Sequence, residues 1–279
     1  MVDKLNLSQL IFDIQACYND GEWLVARNLC LRGLAQEPNN PEMLYLFGVL
    51  NYRQLKQPWV ELFLKLKSMD FDPDYVLDLG AYDGRWTRLF KSFFPSAHVL
   101  MIEAQSKMEG DLAKTCHVLN GVEYYIQLLG DEDRDAVIFF EMDTPYGSTG
   151  SSIYSERTPY YREQKILPML KLDSLMEARG PTPFKFVKID VQGAEIDVLK
   201  GGIATLLDVE FALVEISVVE YNKGSPLFAD VIQFMKTVGF IFFDTVEEHR
   251  VSRKGSPYKY LCQLDVLFVR ESSDFRAVL

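Results

Sequence analysis

The stretch Tyr75-Val-Leu-Asp78-Leu-Gly80-Ala-Tyr82-Asp83-Gly84-Arg-Trp-Thr87 carries apolar residues into an acid, then turns through two glycines into a helix start. Glycine takes positive φ without steric cost and lets a ligand come close to the backbone. A dinucleotide fold would need a glycine where Tyr82 stands, so that a pyrophosphate can approach. Asp78 and Asp83 would repel a pyrophosphate and suit a cation or a polar amino-acid end. S-adenosylmethionine (SAM), with a sulfonium, an ammonium and no phosphate, meets that requirement. An ordinary strand-to-helix turn with a surface acid is the plain alternative.

Further carboxylates follow the same logic. Glu103 closes the next apolar run, 19 residues after Gly84, where nucleoside-binding α/β folds place an acid for the ribose hydroxyls. A helix cap would explain it equally simply. Gly130-Asp131 closes a third run; Asp131 is placed either to accept from an adenine amino group or to sit in a charged turn. Methyl transfer from a sulfonium is an in-line displacement whose main demand is alignment, and a hydroxyl acceptor needs its proton taken. Asp190, at the end of a later apolar run, is the candidate base or substrate orienter. Lys188 shares its strand face by period-two alternation, either to polarise an acceptor hydroxyl or to neutralise Asp190. Glu195 falls in the first turn of the next helix, favoured there by the dipole. Glu215 ends the neighbouring run, so a shared proton or a divalent metal with oxygen ligands is admissible beside Asp190, though a metal is not favoured. His249 is the histidine placed to act as a base, with a surface-loop role as its alternative; His98 and His117 read as structural.

The elements that must position these groups are those of an α/β protein. Strands are predicted at 75–79, 98–103, 123–128, 136–141, 184–190, 211–217, 238–244 and 260–269, with helices near 58–69, 85–94, 106–117, 171–178, 194–207 and 227–237. Such alternation implies a mainly parallel sheet covered on both faces, with ligands beyond the carboxyl ends of its strands. The run 136–141 reads as a side hairpin, and the last run follows without an intervening helix and should return antiparallel. Residues 142–170 read as a long insertion, a lid carrying Tyr146, Tyr154, Tyr160 and Tyr161. Residues 1–57 read as a helical appendage with one and a half tetratricopeptide-like units, and 58–279 as the domain that binds ligand.

Composition narrows the function classes. The 279 residues are 48% apolar and 25% charged, ordinary globular values, and the formal charge is −11. An acidic chain lacks the clustered Lys and Arg of a nucleic-acid footprint. No apolar run approaches the roughly 18 residues of a membrane span, and no basic-then-apolar leader is evident. The four scattered cysteines show neither metal spacing nor a secreted framework, so a cytoplasmic protein is expected.

The most specific stretch is Phe184-Lys-Phe-Val-Lys188-Ile-Asp190-Val-Gln192-Gly193-Ala-Glu195-Ile-Asp-Val-Leu-Lys-Gly201-Gly202. It resembles the fourth-strand signature of FkbM-type methyltransferases. Asp78–Gly84, Val214-Glu215 with Tyr221-Asn-Lys-Gly-Ser-Pro226, and Gln263-Leu-Asp265 resemble the same family, over roughly residues 72–270. The resemblance implies a Rossmann-like, seven-stranded sheet with its last strand antiparallel, and SAM as cofactor held by Asp78, Gly80, Tyr82, Asp83, Gly84, Glu103, Asp131, Ser151 and Asp190. It implies O-methylation of a glycan sugar or secondary metabolite, with Asp190, Lys188, Glu215 and His249 as catalytic candidates. Two other classes stay open: a non-catalytic SAM-binding protein that docks a partner, or assembles with itself, through residues 1–57, and a nucleotide-dependent enzyme on the same sheet.

Overall fold

The computed structural model describes residues 7–19, 23–38, 40–43, 46–47, 50, 58–142, 149–156, 161–180, 182–252 and 255–277. The chain divides into two compact units, Met1–Lys65 and Leu66–Leu279. In the first, helices α1 (Leu7–Asn19) and α2 (Trp23–Gln36) enclose a small core of Leu10, Ile14, Ala26, Cys30, Met43 and Leu50. The helical periodicity in the sequence is what this core collects. Leu44 and Gly48, in the expected helical appendage, lie outside the described residues, as do Tyr146 and Tyr160. Helix α3 (Pro58–Ser68) runs across the division. Among the described residues, no helix is long and apolar enough to cross a membrane.

The second unit holds a seven-stranded sheet in the order β3-β2-β1-β7-β8-β10-β9. Its strands are β1 (Tyr75–Leu79), β2 (His98–Glu103), β3 (Val122–Ile126), β7 (Phe186–Ile189), β8 (Phe211–Ser217), β9 (Phe240–Ser252) and β10 (Lys259–Arg270). Pairs from β3 through β8 are parallel, and β10 is antiparallel to both β8 and β9. β1, β7 and β8 are largely apolar, interrupted by Asp78, Lys188 and Glu215, because helices cover both faces, as parallel sheets require: Leu77, Leu79, Val187, Ile189, Val214 and Ile216 sit in the main core. On the opposite face, helix α4 (Arg85–Phe93) buries Trp86, Thr87 and Phe90. The Trp86 ring stacks on Phe90 and Phe186 at 5.0 and 5.9 Å. Burying each such ring contributes about 1.5–3 kcal/mol and fixes the rotation that aims Thr87 at β1.

Three differences from the sequence reading bear on the site. Residues expected to be lid loop instead form β6 (Arg162–Leu170), which joins β4 (Leu128–Leu129) and β5 (Arg134–Met142) in a second sheet of order β4-β6-β5. β6 buries only Met169 and contains Pro168, so it lacks the apolar alternation that marks a strand. The expected side strand at 136–141 is β5, which lies outside the main sheet and pairs antiparallel with β6, the next strand in sequence, as a side hairpin. Secondly, β9 continues past Asp244 to Ser252, pairing Glu247, Glu248, His249 and Arg250 with the start of β10. A partly exposed edge strand needs no apolar pattern, and His249, paired with Gln263, lies within a strand rather than in a connecting loop. Thirdly, the helix expected over 194–207 ends early, as α7 (Glu195–Gly201). A Cβ on Gly201 would lie 2.0 Å from the Gly130 carbonyl oxygen, so the helix end presses backbone to backbone on the close of β4.

Candidate functional site

The site is built at the carboxyl edge of β1, β7 and β8. Gly80, at φ +76°, turns the chain away from β1 and brings it against β7; a Cβ there would lie 1.8 Å from the Asp190 carbonyl oxygen. Tyr82 follows at φ +52° and Gly84 at +79°. Strained φ at a non-glycine residue survives only where surroundings over-determine it. Here the Tyr82 N–H donates to Glu103 Oε2 at 2.8 Å, and the Gln105 N–H donates to Glu103 Oε1 at 2.9 Å. Glu103 is thus buried and ties the end of β2 to the glycine turn. The Gln105 side chain engages the same carboxylate as well. Burial raises the Glu103 pKa, against the lowering effect of the Gln105 and Tyr82 amides.

Asp78 is fully buried under the turn. Thr87 donates to its Oδ2 at 2.6 Å, while Oδ1 has no hydrogen-bond partner and faces the Lys188 ammonium at 3.5 Å. Burial raises its pKa and Lys188 opposes that rise. Asp83 points elsewhere: Arg85 grips both its oxygens, at 2.8–3.1 Å, and holds its pKa down despite partial burial. Arg88 is engaged by the Asp83 carbonyl and Thr115. The turn therefore presents carboxylate and backbone groups, with both nearby guanidiniums already engaged, Arg85 by the Asp83 carboxylate and Arg88 by the Asp83 carbonyl and Thr115. That donor set fits a sulfonium nucleoside and not a pyrophosphate.

Lys188 is buried between Asp78 and Asp190, 3.3 Å from Asp190 Oδ2, and donates to the Gly80 carbonyl. Burial works against its charge, yet Asp190, Asp78 and Asp265 together raise its pKa. The Asp190 side chain is 31% exposed, unlike that of Asp78. Next to it, Gln192 (φ +55°) and Gly193 (φ +99°) make a tight turn of the I′ kind. Glu195, at the start of α7, stabilises that turn by accepting from the Gly193 N–H at 2.9 Å and the Val191 N–H at 3.3 Å.

The Gln192 amide bridges Asp190 Oδ1 (2.9 Å) and Glu215 Oε2 (2.6 Å), so a neutral donor joins these two carboxyl groups. Gln263 also donates to Glu215 Oε2, at 2.7 Å, and to the Tyr221 hydroxyl at 2.8 Å. Tyr221 in turn donates to Gln192 Oε1 at 3.1 Å. Burial, then the charges of Asp190, Asp265 and Glu195, raise the Glu215 pKa well above the usual carboxylate range. Ser151 donates to Gln105 Oε1 and Ser152 to the Gln192 carbonyl, so this serine pair links the Glu103 segment to the Asp190 turn. Asp131 stands apart beyond β4, paired with Arg134 at 3.3 Å. His98 stacks on Tyr75 at the opposite edge.

Gln105, Gln192, Tyr221, Gln263 and Asp265 were not among the sequence-level candidates. Their signal was positional only: Gln192, Tyr221, Gln263 and Asp265 lie in stretches already singled out, but neutral amides and a phenol carry no charge to mark them, and Asp265 lies toward the start of an antiparallel strand rather than at the end of a parallel one.

Glu195 gives this cluster a pH signature. Burial pushes its pKa up to about 7, mitigated by the Gly193 amide. An acid whose folded pKa is raised stabilises the fold fully below its unfolded pKa, near 4.3, and loses that contribution as pH rises through the folded value. Unfolding midpoints in denaturant should therefore fall between pH 5 and pH 8 by the equivalent of a few kcal/mol. Glu195→Gln, which keeps a carbonyl for Gly193, should flatten that fall; an unchanged pH slope in the variant would refute the assignment.

Comparison with known proteins follows the geometry. The model of the methyltransferase FkbM domain matches residues 78–242. A protein named Methyltransferase 1 from Beauveria bassiana (strain ARSEF 2860) is 26% identical over 188 residues, covering 61% of this chain and 73% of the relative. Among solved structures, precorrin-6y C5,15-methyltransferase from Geobacter metallireducens GS-15 aligns at 12% identity and TM-score 0.42, covering 75% of this chain and 88% of the other. A Burkholderia thailandensis 1,6-didemethyltoxoflavin-N1-methyltransferase, solved with 1,6-didemethyltoxoflavin and S-adenosylhomocysteine, aligns at 12% identity and TM-score 0.40, covering 80% and 84%. These structural likenesses are distant, and the family assignment rests on the sequence match across the glycine turn, β7 and β8: the chain belongs to the FkbM methyltransferase family.

Proposed function

We propose that this methyltransferase is SAM-dependent and methylates a hydroxyl on a glycan sugar or a secondary metabolite. The observation that carries the reading is the backbone contact of Gly80 with Asp190, which sets a partly exposed carboxylate directly beside the glycine turn. SAM, when bound, supplies an electrophilic methyl group. Asp78, Gly80, Tyr82, Asp83, Gly84, Glu103, Asp131 and Ser151 would hold it, with Asp83 acting through its hold on Arg85. Asp190 accepts the proton, or the hydrogen bond, of the acceptor hydroxyl. Lys188 and the Gln192 amide clamp both Asp190 oxygens, so the carboxylate is aligned beforehand; alignment of this kind is worth up to ~7–11 kcal/mol of barrier. Lys188 serves as the counter-charge, since its ammonium is shared by Asp78, Asp190 and the Gly80 carbonyl. Glu215, held by the Gln192 and Gln263 amides, would serve as a second orienting group beside Asp190.

Acidic surroundings favour a neutral polyhydroxyl acceptor. Tyr161, 74% exposed, offers a flat face for a ring, whereas the Tyr154 hydroxyl is committed to Asp197 at 2.7 Å. Residues 1–57 stand in this reading as an appendage outside the chemistry of a domain spanning 58–279. The test is a screen with isotope-labelled SAM over glycans, glycosides and polyketides, read by intact mass. Label should appear on a hydroxyl oxygen. Label on nitrogen or sulfur would refute the acceptor class, and SAM binding without transfer to any member would favour a non-catalytic, partner-docking protein.

A further inference from the structure

β8, β10 and β9 lie side by side, and their register lines up three ligand-type side chains on one face. Asp265 pairs with Glu215, and Gln263, two residues earlier on the same strand, pairs with His249. One oxygen of Glu215, one of Asp265 and one imidazole nitrogen of His249 all lie within 4.8 Å of one another. Two donors held trans by one ion at about 2.1–2.2 Å are roughly 4.2–4.4 Å apart, so small side-chain movements bring all three into a single coordination shell. Asp265 is only 7% exposed.

We infer that Glu215, His249 and Asp265 form a divalent-metal site beside the methyl-transfer centre, with open positions for acceptor oxygens. The outer shell is also in place. Gln192 and Gln263 both donate to Glu215 Oε2, which fixes that carboxylate without engaging Oε1, as partners of metal-ligating carboxylates do. One imidazole with two carboxylates suits an ion of intermediate hardness, and Mn²⁺ is the best match. There it acts as a Lewis acid toward a hydroxyl, making the proton easier for Asp190 to remove. The site takes its catalytic meaning from the proposed O-methyl transfer, but its existence does not depend on that reading.

The test is a titration of the full chain with Mn²⁺ alone, with neither SAM nor acceptor present. It is followed by loss of the free aquo-ion electron paramagnetic resonance signal and by calorimetry. One ion per chain should bind, Mn²⁺ should raise the melting temperature, and His249→Gln and Asp265→Asn should each weaken binding tenfold or more. His117→Gln, on a helix far along the chain, should leave it unchanged. No saturable binding, or binding indifferent to both site variants, overturns the inference. If Asp265→Asn fails to fold, His249→Gln, on the ribbon, decides alone. S-adenosylhomocysteine titrated in parallel separates the two claims: nucleoside binding without Mn²⁺ binding sinks only the metal, and the reverse sinks only the cofactor assignment.

Discussion

Asp190→Asn should lower methyl-transfer kcat by roughly 10²–10⁴-fold, the range a positioned base contributes, while the Kd for S-adenosylhomocysteine moves by less than about tenfold. Asparagine keeps an oxygen to accept from Gln192, so the tight turn before α7 should persist. Lys188 loses one carboxylate but retains Asp78 at 3.5 Å and the Gly80 carbonyl. The variant therefore isolates the missing negative charge rather than a collapsed site. Single-turnover rates with saturating SAM separate chemistry from binding. If turnover is undiminished, the proton leaves by another route, and Glu215 or His249 inherits the role. If nucleoside binding collapses together with rate, Asp190 is chiefly a support of the glycine turn.

How far such a site can be read from residues alone depends on what fixes each part. β1, β2, β7 and β8 are legible because burial on both faces demands unbroken apolar runs, and their acids stand out where the runs stop. Asp78, Glu103, Asp190 and Glu215 follow directly from the rule that ligands gather at the carboxyl ends of parallel strands. That same rule hides Asp265 and Gln263. β10 runs antiparallel, so its beginning, not its end, reaches the functional edge beside Glu215 and Ser217. Gln192 escapes for a different reason. Its bridging position comes from a positive φ that a following glycine permits but does not dictate. β6 and the outer half of β9 escape because exposed strands need no apolar alternation. The sequence thus encodes the charged half of the site openly, and the neutral groups that orient it only through tertiary register.

Gly80→Ala should be the most damaging single methyl in the molecule, costing roughly 3–5 kcal/mol of stability and abolishing nucleoside binding at any accessible concentration. Two penalties coincide. Alanine at φ +76° sits in a region that L side chains rarely adopt, worth about 1–2 kcal/mol. The new Cβ would also meet the Asp190 carbonyl oxygen at 1.8 Å and its carbon at 2.8 Å. Both obstacles are backbone, so neither can swing aside as a side-chain tip would, and β1 and β7 must separate where they pair Leu79 with Ile189. That separation moves Asp190 away from the glycine turn, so the cofactor pocket and the proposed base fail together. Gly110→Ala supplies the contrast. Gly110 lies in the helix Glu109–Val118 with nothing within 4 Å of its would-be Cβ, and there alanine should add about 0.5–1 kcal/mol. Denaturant midpoints and S-adenosylhomocysteine titrations of the two variants settle the matter. A Gly80→Ala protein that melts with the wild type and still binds the nucleoside would mean that the glycine turn and β7 are not in backbone contact, and the alignment argument for Asp190 would go with it.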